Sequence, residues 1–369
     1  MIALAAGMGL GRFLYTPVLP IMSEATGLAP ASAGAIAGAN FAGYLAGALL
    51  ASLPGMSAHA RLWLMLGLVS SAATGALMGL TQSVWLWGLL RLVSGMASAF
   101  ILIFASALVT SALRAAGRPG LGVVHFAGVG AGIAISAVIA SPPVVSDEGW
   151  RAIWWIGAGL TVLALLVVTL CLPARPAAAG DGAASAGPRP GLWRLIAAYG
   201  CLGFGYVITA TFIVQILREG GAGRVEEAWV WGIVGLCAIP SVAFWSAVAG
   251  RIGTIRAYQI AMLIEAVGVT LSIFETGAAM LTAAILLGGT FMGLTALGFQ
   301  EATRRVGGDG RAIMALMTAS FGVGQMTGPL LAGWLRDTTG SFVAPSLIAA
   351  FVLVAGATLL IRMPPAKPA

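Results

Sequence analysis

The sequence predicts an all-α polytopic membrane protein of about twelve crossing helices, built as two related halves. Three observations predict it: a composition too poor in charge for a soluble globule, apolar segments of spanning length along the whole chain, and glycines recurring at a fixed offset. Of 369 residues, 59% are hydrophobic and 8% charged, with a mean hydropathy of +0.99. A soluble domain carries about 25% charged residues. So little charge cannot cover a globule, and most of the apolar surface must face lipid.

Segments long enough to cross about 30 Å of hydrocarbon run near 2–22, 31–53, 62–80, 84–110, 120–142 and 151–172. The first contains Arg12 and lacks a basic leader or a small-residue cleavage site, so it reads as a retained membrane helix, not a signal peptide. The second carries Gly34-xxx-Gly38 and Gly43-xxx-Gly47, spacings that let helix backbones approach closely. The fourth holds Arg91 and the fifth begins near His125, read chiefly as interfacial packing. A stretch rich in Ala, Pro and Gly over 173–192 has a linker's composition and divides the chain into 1–172 and 193–369. Six further segments follow near 193–215, 229–249, 257–275, 281–303, 311–335 and 340–362. They carry Tyr206 and Thr209 in the seventh, Glu265 in the ninth, Glu301 in the tenth and Gln325 in the eleventh.

Arginine placement sets the orientation, because basic residues are retained on the cytoplasmic side during insertion. With both ends inside, thirteen basic residues fall in cytoplasmic segments: Arg61, Arg114, Arg118, Arg175, Arg189, Arg194, Arg251, Arg256, Arg304, Arg305, Arg311, Arg362 and Lys367. The outer loops hold four, Arg151, Arg218, Arg224 and Arg336, with the acids Asp147, Glu148, Glu226 and Glu227. Trp85, Trp87, Trp150, Trp154, Trp155, Trp193, Trp229, Trp231 and Trp334 fall near predicted helix ends, where amphipathic rings anchor at the interface. The net charge of +7 is scattered over short loops rather than gathered on one face, which excludes a nucleic-acid surface. Cys171, Cys201 and Cys237 have no metal or redox spacing and read as packing residues.

An offset of 194 residues superposes Gly9 on Gly203, Gly11 on Gly205, Gly27 on Gly221, Gly38 on Gly232, Gly95 on Gly289, Gly128 on Gly322 and Gly130 on Gly324. Six crossings per half is an even number, so the halves repeat in parallel about an axis along the membrane normal. Most of these glycines read as close-packing sites, and a repeated glycine helix can also bend or slide.

Six plus six helices with a cytoplasmic central linker resemble the major facilitator superfamily. The run Gly9-Leu-Gly-Arg-Phe-Leu-Tyr-Thr-Pro-Val-Leu-Pro20 resembles the opening signature of its YbfB/YjiJ-like branch, and His125-Phe-Ala-Gly-Val-Gly130, Gly203-Phe-Gly-Tyr206 and Phe321-Gly-Val-Gly-Gln325 resemble later stretches. The resemblance implies the facilitator fold, with helices 1 and 4 lining a central cavity and helix 9 at the periphery. Two departures stand out. The loop between helices 2 and 3, Pro54-Gly-Met-Ser-Ala-His-Ala-Arg61, lacks the acid of the usual signature, and its counterpart Gly250-Arg-Ile-Gly-Thr-Ile-Arg256 lacks the aspartate. The GxxxGP pattern known from helix 5 of antiporters stands instead in helix 11, Gly324 to Pro329, and no export is inferred from it.

A charge at membrane depth costs several kcal/mol, so each one defaults to a functional candidate. Arg12, midway along helix 1, and Arg91, two turns from the outer end of helix 4, stay protonated and need water, a carboxylate or a substrate. Either could hold an anion, or bridge permanently to a helix end or a buried acid. Glu265 could carry a coupling proton by alternate burial and exposure. Glu301, one turn from Arg304 and Arg305, fits an intrahelical or gate salt bridge better. Tyr15, Thr16, Asn40, Tyr44, Tyr206, Thr209 and Gln325 supply candidate polar contacts to solute, each also suited to helix-to-helix hydrogen bonding.

These features point to a secondary carrier that moves a small solute by alternating access, coupled to protons, with an organic anion as the favoured cargo. Efflux of amphipathic toxic compounds is the alternative within the class; a polytopic membrane enzyme or a non-transporting sensor is the alternative outside it. With two histidines and no HExxH or Walker A sequence, neither metal catalysis nor ATP hydrolysis is expected. The expected partners are the solute, protons and the bilayer, with no cofactor and no nucleic acid, in a monomer of the inner cell membrane with both termini cytoplasmic.

Overall fold

The computed structural model describes residues 1–53, 55–118, 121–142, 144, 149–172, 191–274, 276–306, 311–361 and 363. Apart from Gly191 and Leu192 the expected linker lies outside them, as do Pro54, Asp147, Glu148, Arg175, Arg189, Arg362 and Lys367.

The described residues form helices and turns, with no strand among them. They are α1 (Ile2–Thr26), α2 (Pro30–Ala51), α3 (Ala60–Met78), α4 (Val84–Ala115), α5 (Gly122–Ile139) and α6 (Trp150–Cys171). Then follow α7 (Leu192–Glu219), α8 (Arg224–Ile252), α9 (Thr254–Leu271), α10 (Gly277–Val306), α11 (Arg311–Thr339) and α12 (Val343–Leu359). Ten of the described spans are long and apolar enough to cross a membrane; α11 and the shorter apolar α12 complete the twelve.

Local chemistry sets the ends. α1 stops at Gly27, whose φ of 67° is left-handed, and the turn after α7 uses Gly221 at φ 86°. α2 starts on Pro30, which needs no N–H partner in a first turn and follows an extended Ala29.

The packing is two-fold. In the first bundle α2 packs on α4, α3 on α4 and α6, and α1 on α5; in the second α8 packs on α10, α9 on α10 and α12, and α7 on α11. Each of these contacts has its counterpart six helices on, so the two halves repeat one packing pattern. Between bundles, α2 meets α11 and α5 meets α8, again a matched pair, while α1 meets α7. Small residues permit this closeness. A methyl group on Gly34 would lie 2.2 Å from the Pro329 carbonyl oxygen, and one on Gly95 would lie 1.9 Å from that of Asn40.

Two expectations need correction. Helix 1 is not one regular helix: after a turn of α-helix, Ala5–Leu10 form a π-helix, and residues 11–14 are turns before regular helix resumes at Tyr15. The tryptophans are not a uniform interfacial belt. Trp85, Trp155, Trp193, Trp229 and Trp334 are exposed, but Trp87, Trp150, Trp154 and Trp231 are buried, because their indoles fill inter-helix space. Trp87 donates to the Met78 carbonyl at 3.1 Å and Trp231 to Ser136 Oγ at 2.9 Å.

Candidate functional site

The break in α1 turns Arg12 toward α11 and the interface between the bundles. Its side chain is buried, and one Nη donates to Gln325 Oε1 of α11 at 2.9 Å. The guanidinium carbon stands 4.3 Å from the Tyr44 ring centroid and 4.6 Å from that of Phe41, two cation–π contacts supplied by α2. Gln325 passes the connection on: its Nε2 donates to the Tyr206 hydroxyl of α7. Arg12, Gln325, Tyr206 and Tyr44 thus form one cluster drawn from four helices. Among the described residues no carboxylate lies in ion-pair range of Arg12, and its Nε has no hydrogen-bond partner.

A column of rings continues from this cluster. Tyr206 stacks between Phe291 and Phe321, with interplanar angles of 9° and 14°, and Phe321 stacks on Tyr199 at 30°. Phe13, next to Arg12, reaches both Phe291 and Trp231. The polar centre is therefore walled by aromatic faces from both bundles.

Arg91 has a different position. Its two Nη groups donate to the carbonyls of Gly11 and Arg12, each at 2.8 Å, and Ser94 Oγ donates to the same Gly11 carbonyl at 2.9 Å. These carbonyls have lost regular helical partners at the break, so α4 holds α1 open. Asn40 ties in as well: its Nδ2 donates to the Arg91 carbonyl at 2.9 Å. Tyr15 donates to the Ala33 carbonyl at 3.0 Å and fastens α1 to α2. Behind Arg91 lies an internal cavity of about 10 Å³, whose walls include Ser71 and Trp154.

Thr16 lies on the axis between bundles, its hydroxyl donating to the Ala210 carbonyl at 2.8 Å. Thr209 is fully buried with no partner for Oγ1. Further contacts close the end where α1 and α7 finish. Arg218 of α7 bonds Glu24 at 2.8 Å and Glu227 at 2.5 Å, Asp337 accepts from the Ala31 N–H at 3.0 Å, and Arg224 donates to the Ala140 carbonyl at 2.9 Å. The polar contacts between bundles described here run from Arg12 to this end.

The acids stand apart from the central cluster. Glu265 is fully buried between α9 and α10; one oxygen contacts Thr290 Oγ1 and the other has no hydrogen-bond partner. Glu301 lies 2.7 Å from Arg305 on its own helix and 3.9 Å from Arg304.

Sequence reasoning thus named most polar members of the cluster but missed Phe41, Phe291, Phe321, Ser94 and Thr290. Phe41 and Ser94 had a signal: each lies one turn or less from a residue already singled out, Tyr44 and Arg91. Phe321 stood in the quoted run one turn before Gln325, whereas Phe291 and Thr290 had no signal, since their neighbours come from remote helices.

The profile of the family described as "Uncharacterised MFS-type transporter YbfB" matches residues 4–361. The Agrobacterium vitis protein named "Putative tartrate transporter" is 27% identical over 150 residues, covering 39% of this chain and 34% of that protein, so the match spans about a third of the relative's length. Among solved structures, a mutant of the nucleoside transporter NupG superposes with a TM-score of 0.76 at 18% identity, covering 98% of each chain. A second crystal structure of NupG gives 0.69 at 17% identity, again over 98% of each. At these identities the likeness establishes the fold alone.

Proposed function

The chain belongs to the MFS-type transporter family whose profile it matches, a family of transporters rather than enzymes, and from that premise we propose a proton-coupled secondary carrier of small organic anions. The observation that carries the reading is Arg12. A permanent cation is buried on the interface between two bundles, facing a neutral amide and tyrosine with no carboxylate in ion-pair range among the described residues. A substrate carboxylate replacing Gln325 Oε1 would exchange a neutral acceptor for a charged one, with room for a second bond from the partnerless Nε. The aromatic walls fit the carbon skeleton of the solute, and Tyr206 and Thr209 offer hydroxyls to it. The relative named for tartrate makes a hydroxy-dicarboxylate the first probe.

The coupling proton is assigned to Glu265 on its burial: a carboxyl fully buried between α9 and α10, with one oxygen facing the Thr290 hydroxyl and the other without a hydrogen-bond partner, carries its charge at high cost unless it holds a proton. The rocking units are 1–172 and 193–369, joined by 173–192. With the arginine-rich loops in the cytoplasm, the ion-paired end of α1 and α7 is external, and this conformer is closed to the outside of the inner membrane. The site lies between the bundles of one chain, so a monomer suffices.

Thermal shift of the purified protein against small organic acids, tartrate first, tests the site: a ligand of the folded state raises the melting point. Arg12→Ala should abolish the shift; an undiminished shift returns Arg12 to a structural role. In proteoliposomes, an imposed pH gradient should drive uptake, and Glu265→Gln should retain exchange but lose the gradient dependence. Uptake indifferent to the gradient would remove proton coupling from the reading.

A further inference from the structure

On the lipid-facing side of the second bundle, α9 and α12 part to leave a groove of about 470 Å³. Its walls are Ile252, Ile260 and Leu263 from the α8–α9 side and Ala357, Thr358 and Ile361 from the α12 side, with Arg256 and Gln259 also on the lining. The polarity is graded along the axis. Arg256 lies near the start of α9, and Leu263 is seven residues further in, about 10 Å along a helix. From Ile260 inward the α9 wall is wholly aliphatic, and these two residues are exposed at 44% and 45%. Gln259 is engaged across the groove, its Nε2 donating to the Ala357 carbonyl at 3.1 Å, which holds the two walls in register.

The charge at the mouth is unbalanced. Arg256 is exposed and, among the described residues, forms no ion pair; Arg251, also exposed, adds a second positive charge at the same end. The acid of the neighbouring α10 terminus, Glu301, is already engaged by Arg305 and Arg304. A groove that is apolar for its length and cationic at one mouth, opening onto a bilayer, matches a molecule with an aliphatic chain and an anionic head. We propose that this groove is a binding site for an anionic phospholipid, one acyl chain lying along Ile260 and Leu263 and the phosphodiester held by Arg256. Basic clefts between membrane helices on the cytoplasmic face hold lipid headgroups in this way, and arginine suits the task because its planar fork donates two parallel hydrogen bonds to one phosphate.

The test is native mass spectrometry of the full chain in detergent, with phosphatidylglycerol or phosphatidylcholine added at equal concentration. The wild type should retain one phosphatidylglycerol with about fivefold preference, the factor expected for one basic residue at a membrane surface. Arg256→Gln, at an exposed position, should bring the two lipids to parity. Leu263→Trp, which fills the groove but keeps the arginine, should lose the phosphatidylglycerol adduct. Melting in inorganic phosphate separates a headgroup from a free anion and should show no stabilisation. Equal retention of both lipids by the wild type, a preference unchanged in Arg256→Gln, or adducts unaffected by Leu263→Trp would each overturn the proposal. So would stabilisation by phosphate alone.

Discussion

Helices α1 and α7 hold equivalent places in the two bundles, yet one is broken at its centre and the other runs unbroken for 28 residues. Both carry the same glycine frame, Gly9-Leu-Gly11 and Gly203-Phe-Gly205, followed by Arg12 in one and Tyr206 in the other. The frame is used alike at its first position. A methyl group on Gly9 would lie 2.3 Å from Gly132 Cα of α5, and one on Gly203 would lie 2.4 Å from the Phe321 carbonyl oxygen of α11. Glycine therefore explains close packing in both helices and the break in neither. The difference comes from the helix behind. α4 offers Arg91 and Ser94 to the freed carbonyls, whereas the residues of α10 at the 194-residue offset are Ile285 and Gly288, which have no side-chain donor to give. A broken turn survives where its stranded carbonyls, here those of Gly11 and Arg12, find donors, and the repeat supplies them on one side alone.

The comparison can be broken most sharply at the shared frame. Gly9→Val and Gly203→Val both drive a side chain into backbone, and each should cost about 3 kcal/mol or more, read as lost folded yield and a lowered melting point. Tolerance at one position but not the other would end the claim of a common frame. Next, Arg91→Leu removes two charged donors from the break and should cost about 2–3 kcal/mol, with Ile285→Leu near neutral in the same denaturation assay. An Arg91→Leu protein of wild-type stability would mean that α1 holds its own break. Gly27→Ala and Gly221→Ala place a methyl group on left-handed backbone, and both should lose about 1–2 kcal/mol; unequal losses would show that the two turns are less alike than their angles. The smallest effect belongs to Ser94→Ala, about 1 kcal/mol for one hydrogen bond, measurable as a shift in melting temperature.

Much of the architecture was legible before any coordinates. Hydropathy located the crossings because it reports the transfer of a whole segment into lipid, and the pair Gly27 and Gly221, found only by offset, proved to be two left-handed turns. The candidate site was legible residue by residue but not as an assembly. Arg12 and Gln325 are 313 residues apart, and nothing local fixes the rotation that turns one toward the other. Trp231 shows the same limit: its place near a helix end suggested an interfacial ring, but the rotation of α8 points it inward to Ser136. Irregular helix escaped for another reason. The residues of Ala5–Leu10 have no unusual propensity, and the carbonyls just beyond them, of Gly11 and Arg12, are bonded by a donor some 80 positions later.

The contacts on the axis carry one more consequence. Thr16 meets Ala210 and Glu24 meets Arg218, and in both pairs the partners are 194 residues apart, so each residue touches its own image in the repeat. In an assembly of two identical half-chains the residue on a two-fold axis faces a copy of itself, and the interface must be self-complementary there. Two glutamates at position 24 would repel, as would two arginines. Joining the halves in one chain releases that constraint, and opposite charges can stand where symmetry would have demanded like ones.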